Sequence, residues 1–126
     1  MIEAILTDEP IPDPLPIAVD GMGAVAAFRG LVRPLENECR IAGLRYEAYR
    51  PMAVSELKRI LEELQSAHPF THAAVWHRVG FVPVGEAAVS VSIVSKHRGE
   101  AFAALTAFMD RLKQDVPIWK TEAVPC

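Results

Sequence analysis

Cysteine is scarce. The chain has two, Cys39 and Cys126, too few and too far apart for metal-ligand spacing or a disulfide framework. Basic excess is missing as well: 13 Lys and Arg stand against 16 Asp and Glu, for a formal net charge of −3. A protein that grips nucleic-acid phosphates shows a basic footprint, so no nucleic-acid partner is expected. No apolar run approaches the roughly 20 residues that a membrane helix needs. The N-terminus, MIEAILTDEP, has neither the positive region nor the apolar stretch of a signal peptide. The expectation is a cytoplasmic protein away from membranes. The chain also lacks G-x-x-x-x-G-K-[ST], G-x-G-x-x-G and G-x-S-x-G, which removes support for nucleotide hydrolysis, dinucleotide binding and a hydrolase elbow.

What remains is apolar and periodic. Over 126 residues, 51% are hydrophobic, enough for one core and one domain, 1–126. Ile2 to Leu6 predicts a short strand. Four prolines between Glu9 and Pro16 make an extended connection. Residues 22–32 (MGAVAAFRGLV) predict a buried strand and 34–38 a turn or mobile loop. Residues 41–49 alternate Leu44, Tyr46 and Ala48 against Arg45, Glu47 and Tyr49, the period of a strand. Pro51 suits a first helical turn; Ala53, Leu57, Ile60, Leu61 and Leu64 make a helical stripe that Pro69 closes. Residues 71–79 predict a strand ending at Gly80, 83–85 a turn, and 87–94 a half-covered strand. Ala101, Ala104, Leu105, Phe108 and Leu112 mark a second helix, stopped by Pro117, and Ile118 to Glu122 form an extended tail. The order β-β-β-α-β-β-α-β implies an α+β domain with a largely antiparallel sheet and two main helices.

Candidate chemistry gathers in the last third. Lys113 falls in the last turn of the second helix, where a cation suits the helix dipole. Lys120 follows Pro117 on an apolar tail beside Trp119, a setting that predicts partial desolvation and a lowered pKa. His97-Arg98 opens the helix. There His97 either caps it or, with Arg98, faces an anion drawn to the free amides. Arg33, at a strand end, has the fork geometry for phosphate or is simply solvated. His68, His72 and His77 match no zinc spacing and are assigned structural roles, and Cys39 an incidental one. No metal and no cofactor are expected. From the residues alone the chain is an α+β domain with a possible anion pocket near Arg33, His97, Arg98, Lys113 and Lys120.

Five blocks in order, GAVAAFRGLVR (23–33), LRYEAYRPMA (44–53), HRVGFVPVGEAAV (77–89), SKHRGEAF (95–102) and LKQDVPIWKTE (112–122), resemble the catalytic large subunits of molybdopterin synthase, the MoaE family, with a family-like core over 23–122. The resemblance implies an α/β-hammerhead-type fold. It implies transfer of sulfur to cyclic pyranopterin monophosphate (precursor Z) to make the dithiolene of molybdopterin, in molybdenum cofactor biosynthesis. The sulfur would arrive as a thiocarboxylate on the C-terminal glycine of a small ubiquitin-like MoaD-type subunit, whose tail enters a pocket of the large subunit. The assembly would be a homodimer of large subunits within a heterotetramer. Lys113 and Lys120 match the family's catalytic lysines. Leu31, Val32, Arg33, His97, Arg98, Thr121 and Glu122 match its substrate-binding segments, with the His-Arg pair supplied by the other large subunit. Phe28 and Met109 match its pocket lining.

Two departures carry expectations. The segment before Gly23 is short and proline-rich, and the chain stops four residues after Glu122, where relatives continue with another basic residue. The expected consequences are a more open groove and residues 123–126 that stay weakly ordered unless packed on a neighbour. The alternative functions are a non-catalytic member that still binds its partner, and a different anion-binding enzyme on the same scaffold. Retention of both lysines speaks against the first, and convergence of Arg33 with them would speak against the second.

Overall fold

The computed structural model describes all 126 residues. Two sheets share the chain. The first has the strand order β1 (Ile2–Thr7), β5 (His72–Arg78), β7 (Ala87–Ser95), β2 (Ala24–Leu31). β1 runs parallel to β5, and the other two pairings are antiparallel. In the second sheet β4 (Cys39–Ala48) is central and pairs with β3 (Leu35–Glu36), β6 (Gly80–Pro83) and β8 (Ile118–Pro125), all antiparallel. The architecture is α+β, mixed and mostly antiparallel.

Helices α1 (Arg50–Ala67) and α2 (Arg98–Asp115) cover one face of the first sheet because their apolar stripes have nowhere else to be buried. Ala53, Leu57, Ile60, Leu61 and Leu64 of α1 meet Ala104, Phe108 and Leu112 of α2 and Ala73, Val75, Val89, Val91 and Ile93 of the sheet in one core. Pro51 sits in the first turn of α1, where its missing N–H costs nothing. On the other face the proline-rich segment lays Ile11 and Leu15 on Ala74 and Ala87. A smaller core of Val32, Ile41, Leu44, Val82 and Ala88 fills the second sheet. No helix is long and apolar enough to cross a membrane.

Four sequence expectations change. Residues 34–38 are an ordered hairpin: Leu35 and Glu36 pair with Arg40 and Cys39, and Asn37 and Glu38 turn the chain at φ 50° and 67°, the left-handed geometry of a two-residue turn that matches strand twist. The strand predicted over 71–79 does end before Gly80, but the residues that follow, given no element in the sequence, form another strand. At φ 82° Gly80 starts β6, which then pairs with β4. β7 is buried at all nine positions and not half-covered, because it is an inner strand; Ser90 lies recessed between its cross-strand neighbours Trp76 and Arg29. The last residues are not loose: Ala123 and Val124 pair with Leu44 and Gly43, and Ala123 packs on the smaller core.

Candidate active site

A cavity of about 470 Å³ opens where the C-terminal half of α2, the β3–β4 hairpin, β8 and the end of β2 meet. Each wall follows from local periodicity. In α2 the spacing of Met109, Leu112 and Lys113 puts all three on one side, and all three line the cavity. On β8, Lys120 stands opposite Tyr46 of β4, so both project from the same face. On β2, Phe28 and Gly30 alternate onto the helix side, opposite Val91 and Val89. A Cβ on Gly30 would come within 2.9 Å of the Val89 side chain, so the glycine keeps that wall flat.

The lining is apolar toward the sheets, with Phe28, Leu44, Val89, Leu112 and Ile118, and charged at the rim, with Arg33, Glu36, Lys113 and Lys120. Lys113 also sits at the negative end of the α2 dipole. Lys120 does not have the expected apolar shelter. Its side chain is 46% exposed, and its Nζ donates to Glu36 Oε2 at 2.8 Å. The strand geometry explains the difference: Trp119, next along the strand, is itself 47% exposed and does not cover the ammonium.

Two lining residues have no place in the site predicted from sequence, where His77 has a structural role and Tyr46 only a strand face. Tyr46 is half buried, and desolvation raises its phenol pKa, with the nearby Lys120 charge opposing. His77 is 7% exposed, and its Nδ1 lies 2.8 Å from the Arg78 carbonyl oxygen. A carbonyl only accepts, so Nδ1 carries the proton and Nε2 keeps a free lone pair. Burial pushes this imidazole below its ordinary pKa, against the pull of that hydrogen bond. The ring stands edge-on to Tyr46 at 5.3 Å. Its place in an apolar strand gave no cue beyond the His77-Arg78 pair. Arg78 points to the other side, where it pairs with Glu86 at 2.6 Å.

Of the residues singled out in the sequence, the cavity brings together Phe28, Leu31, Arg33, Met109, Lys113 and Lys120. It does not include the rest. Val32 is 4% exposed in the smaller core, and its N–H and C=O are spent on Glu86 and Gly85. Thr121 donates to the Arg45 carbonyl at 3.4 Å, and Glu122 accepts from Arg45 Nε at 3.1 Å. His97 takes the N-cap position of α2 without a capping side-chain hydrogen bond. Arg98 begins the helix and Lys113 lies in its last turn, so their Cα atoms are roughly 22 Å apart along its axis. His97 and Arg98 are not among the residues that line this cavity.

Residues 9–115 match the family described as MoaE protein. The chain is 40% identical over 100 residues to the molybdopterin synthase catalytic subunit of Homo sapiens, spanning 79% of this chain and 53% of that protein. It is 44% identical over 100 residues to the protein of the same name from Bacillus subtilis (strain 168), spanning 79% of this chain and 64% of that one. The chain thus spans about half the length of the human relative and under two thirds of the bacterial one. Among solved structures, molybdopterin synthase from Staphylococcus aureus superposes with a TM-score of 0.85 at 34% identity, over 91% of this chain and 86% of that chain. With a family match over most of its length and the same fold at this identity, the chain belongs to the MoaE protein family.

Proposed function

We propose that this chain is the catalytic subunit of a molybdopterin synthase, a cytoplasmic sulfurtransferase that moves sulfur from the thiocarboxylated tail of a small ubiquitin-like subunit to precursor Z. The observation that carries the reading is the convergence of Arg33, Lys113 and Lys120 on one half-apolar cavity. Each part suits the chemistry. An extended peptide tail fits an apolar channel. A phosphate-bearing substrate needs basic clamps, and Arg33 offers a bidentate one. Charge that develops as the C–S bond forms is stabilised by ammonium groups fixed nearby, and the same groups move protons. Because Lys120 is solvated in the free chain, desolvation would come from the inserted tail, which displaces water from the rim and strengthens each charge interaction. No cysteine nucleophile is needed, since the sulfur arrives on the partner; Cys39 is exposed and does not line the cavity.

His97 and Arg98 lie outside this cavity, and on this reading the chain sits in a homodimer within a heterotetramer, with the pair of one large subunit completing the cavity of the other. Val32, Thr121 and Glu122 are assigned as supports of the site's backbone. The test is incubation with thiocarboxylated small subunit and precursor Z, with molybdopterin as readout. Wild type should form product, and Lys120→Ala should lose about 100-fold or more, the scale of a removed charge-stabilising group, while remaining folded and dimeric. Mixing Arg98→Ala with Lys113→Ala chains should restore activity, because one site in the mixed dimer is intact. Near-normal turnover of Lys120→Ala would remove that lysine from catalysis. Failure of mixed dimers to recover, with subunit exchange confirmed, would place the whole site in one chain.

A further inference from the structure

Glu36 is the only acidic residue that lines the cavity, against three cations, Arg33, Lys113 and Lys120. It reaches Lys120 across 84 positions of sequence, so the pairing is not an accident of neighbours on one strand. Its carboxyl is held below the usual carboxylate range, first by the hydrogen bond from Lys120, then by that ammonium's charge, with a smaller pull from Arg33. Glu36 therefore sits in the field of the same two cations that the functional reading assigns to an anionic ligand.

The hairpin that presents Glu36 is slight. It makes two ladder pairs, Leu35 with Arg40 and Glu36 with Cys39, and its turn puts Glu38, a residue with no preference for that region, at a φ of 67°. Leu35 is 51% exposed, so little apolar burial pins β3 down. A ladder this short has little stability of its own. The ion pair it supports is partly solvated, with side chains 46% and 22% exposed. Such a pair is weak enough to be displaced by a stronger anion and strong enough to oppose a weak one.

We propose that Glu36 is a specificity-determining residue of this cavity: its carboxylate holds the place of a ligand's anionic group beside Lys120 and Arg33, and only a ligand that brings its own anion frees Lys120. This rests on the reading of the cavity as an anion site. A neutral ligand of the same shape leaves Lys120 bound to Glu36. A phosphate or a peptide carboxylate competes for the ammonium and pushes the hairpin aside. Charge selection is thereby built into the free protein, before any partner binds.

The test uses inorganic phosphate as the probe, titrated calorimetrically into the full chain as wild type, Glu36→Gln, Lys120→Ala and Glu36→Gln/Lys120→Ala. Glu36→Gln should bind phosphate about two- to five-fold tighter, the range set by a solvated ion pair, and the gain should vanish when Lys120 is also removed. In parallel, the Glu36 carboxyl followed by carbon NMR should titrate at a higher pH in Lys120→Ala than in wild type. If Lys120→Ala weakens phosphate but Glu36→Gln binds it no tighter than wild type, the specificity role is overturned while the anion site stands. If Lys120→Ala does not weaken phosphate binding, the anion site itself fails and the proposal with it. An unchanged Glu36 titration in Lys120→Ala means the pair does not form in solution, which also overturns it.

Discussion

Phe108 and Phe102 lie six positions apart on α2 and face opposite environments. Phe108 is fully buried in the main core, whereas Phe102 is 60% exposed. Burying a phenylalanine removes about 150–250 Å² from water. At about 25 cal/mol per Å² that is roughly 4–6 kcal/mol, an upper estimate because the unfolded chain already shields part of it. Phe108→Ala leaves a void in the main core, where α2 packs on α1, β2 and β7, elements held by their own backbones, so relaxation recovers little. The expected loss is about 3–5 kcal/mol, a large share of the roughly 5–15 kcal/mol that a domain has. Phe102→Ala should cost less than about 0.5 kcal/mol. Urea unfolding followed by far-ultraviolet circular dichroism reads both, with an unchanged slope confirming that only stability moved. A loss below about 1 kcal/mol for Phe108→Ala, or equal losses for the two, would show that α2 does not dock on the sheet through this face. The consequence reaches the site, because Met109 and Lys113 enter the cavity from the same helix. Below its unfolding transition Phe108→Ala should keep the proposed sulfur-transfer activity, and lose it together with its helical signal on heating.

Two further predictions concern pH and the hairpin. Burial keeps the His77 pKa below its ordinary 6.5, so in acid the unfolded chain binds a proton that the folded chain refuses; stability should be full above about pH 6.5 and fall as pH drops from there toward the folded value. His77→Gln should flatten that part of the urea-midpoint profile, and an unchanged profile would show that His77 is not the group responsible. Glu38→Gly relieves a left-handed φ of 67° at the cost of glycine's extra freedom in the unfolded chain. The net gain should be about 0.5–1 kcal/mol in urea unfolding, and a loss instead would mean that the turn does not hold that conformation in solution.

Local physics decided most of the elements. Apolar stripes at helical spacing, with Pro51 and Pro117 near the ends, set α1 and α2 to within a few residues, since helix formation depends on neighbours three and four positions apart. Alternation set β4 and the core of β7. The five sequence blocks carried the family, and they named Lys113, Lys120 and Arg33 before any geometry was available. β3 and β6 were not legible, because strands of two and four residues have no periodicity to display and exist only through pairing with β4. Complete burial of β7 follows from its place between β5 and β2, which no property of its own residues announces. The site divides the same way. Residue type and spacing nominated the cations. The shelter expected for Lys120 failed because exposure depends on what packs across the strand and not on the residues beside it. Its partner Glu36 and the cavity position of His77 were set by tertiary closure alone, whereas the distance of His97-Arg98 from Lys113 follows from the length of the helix between them. Contacts between residues dozens of positions apart leave no local signature, and only the packed chain decides which distant groups meet.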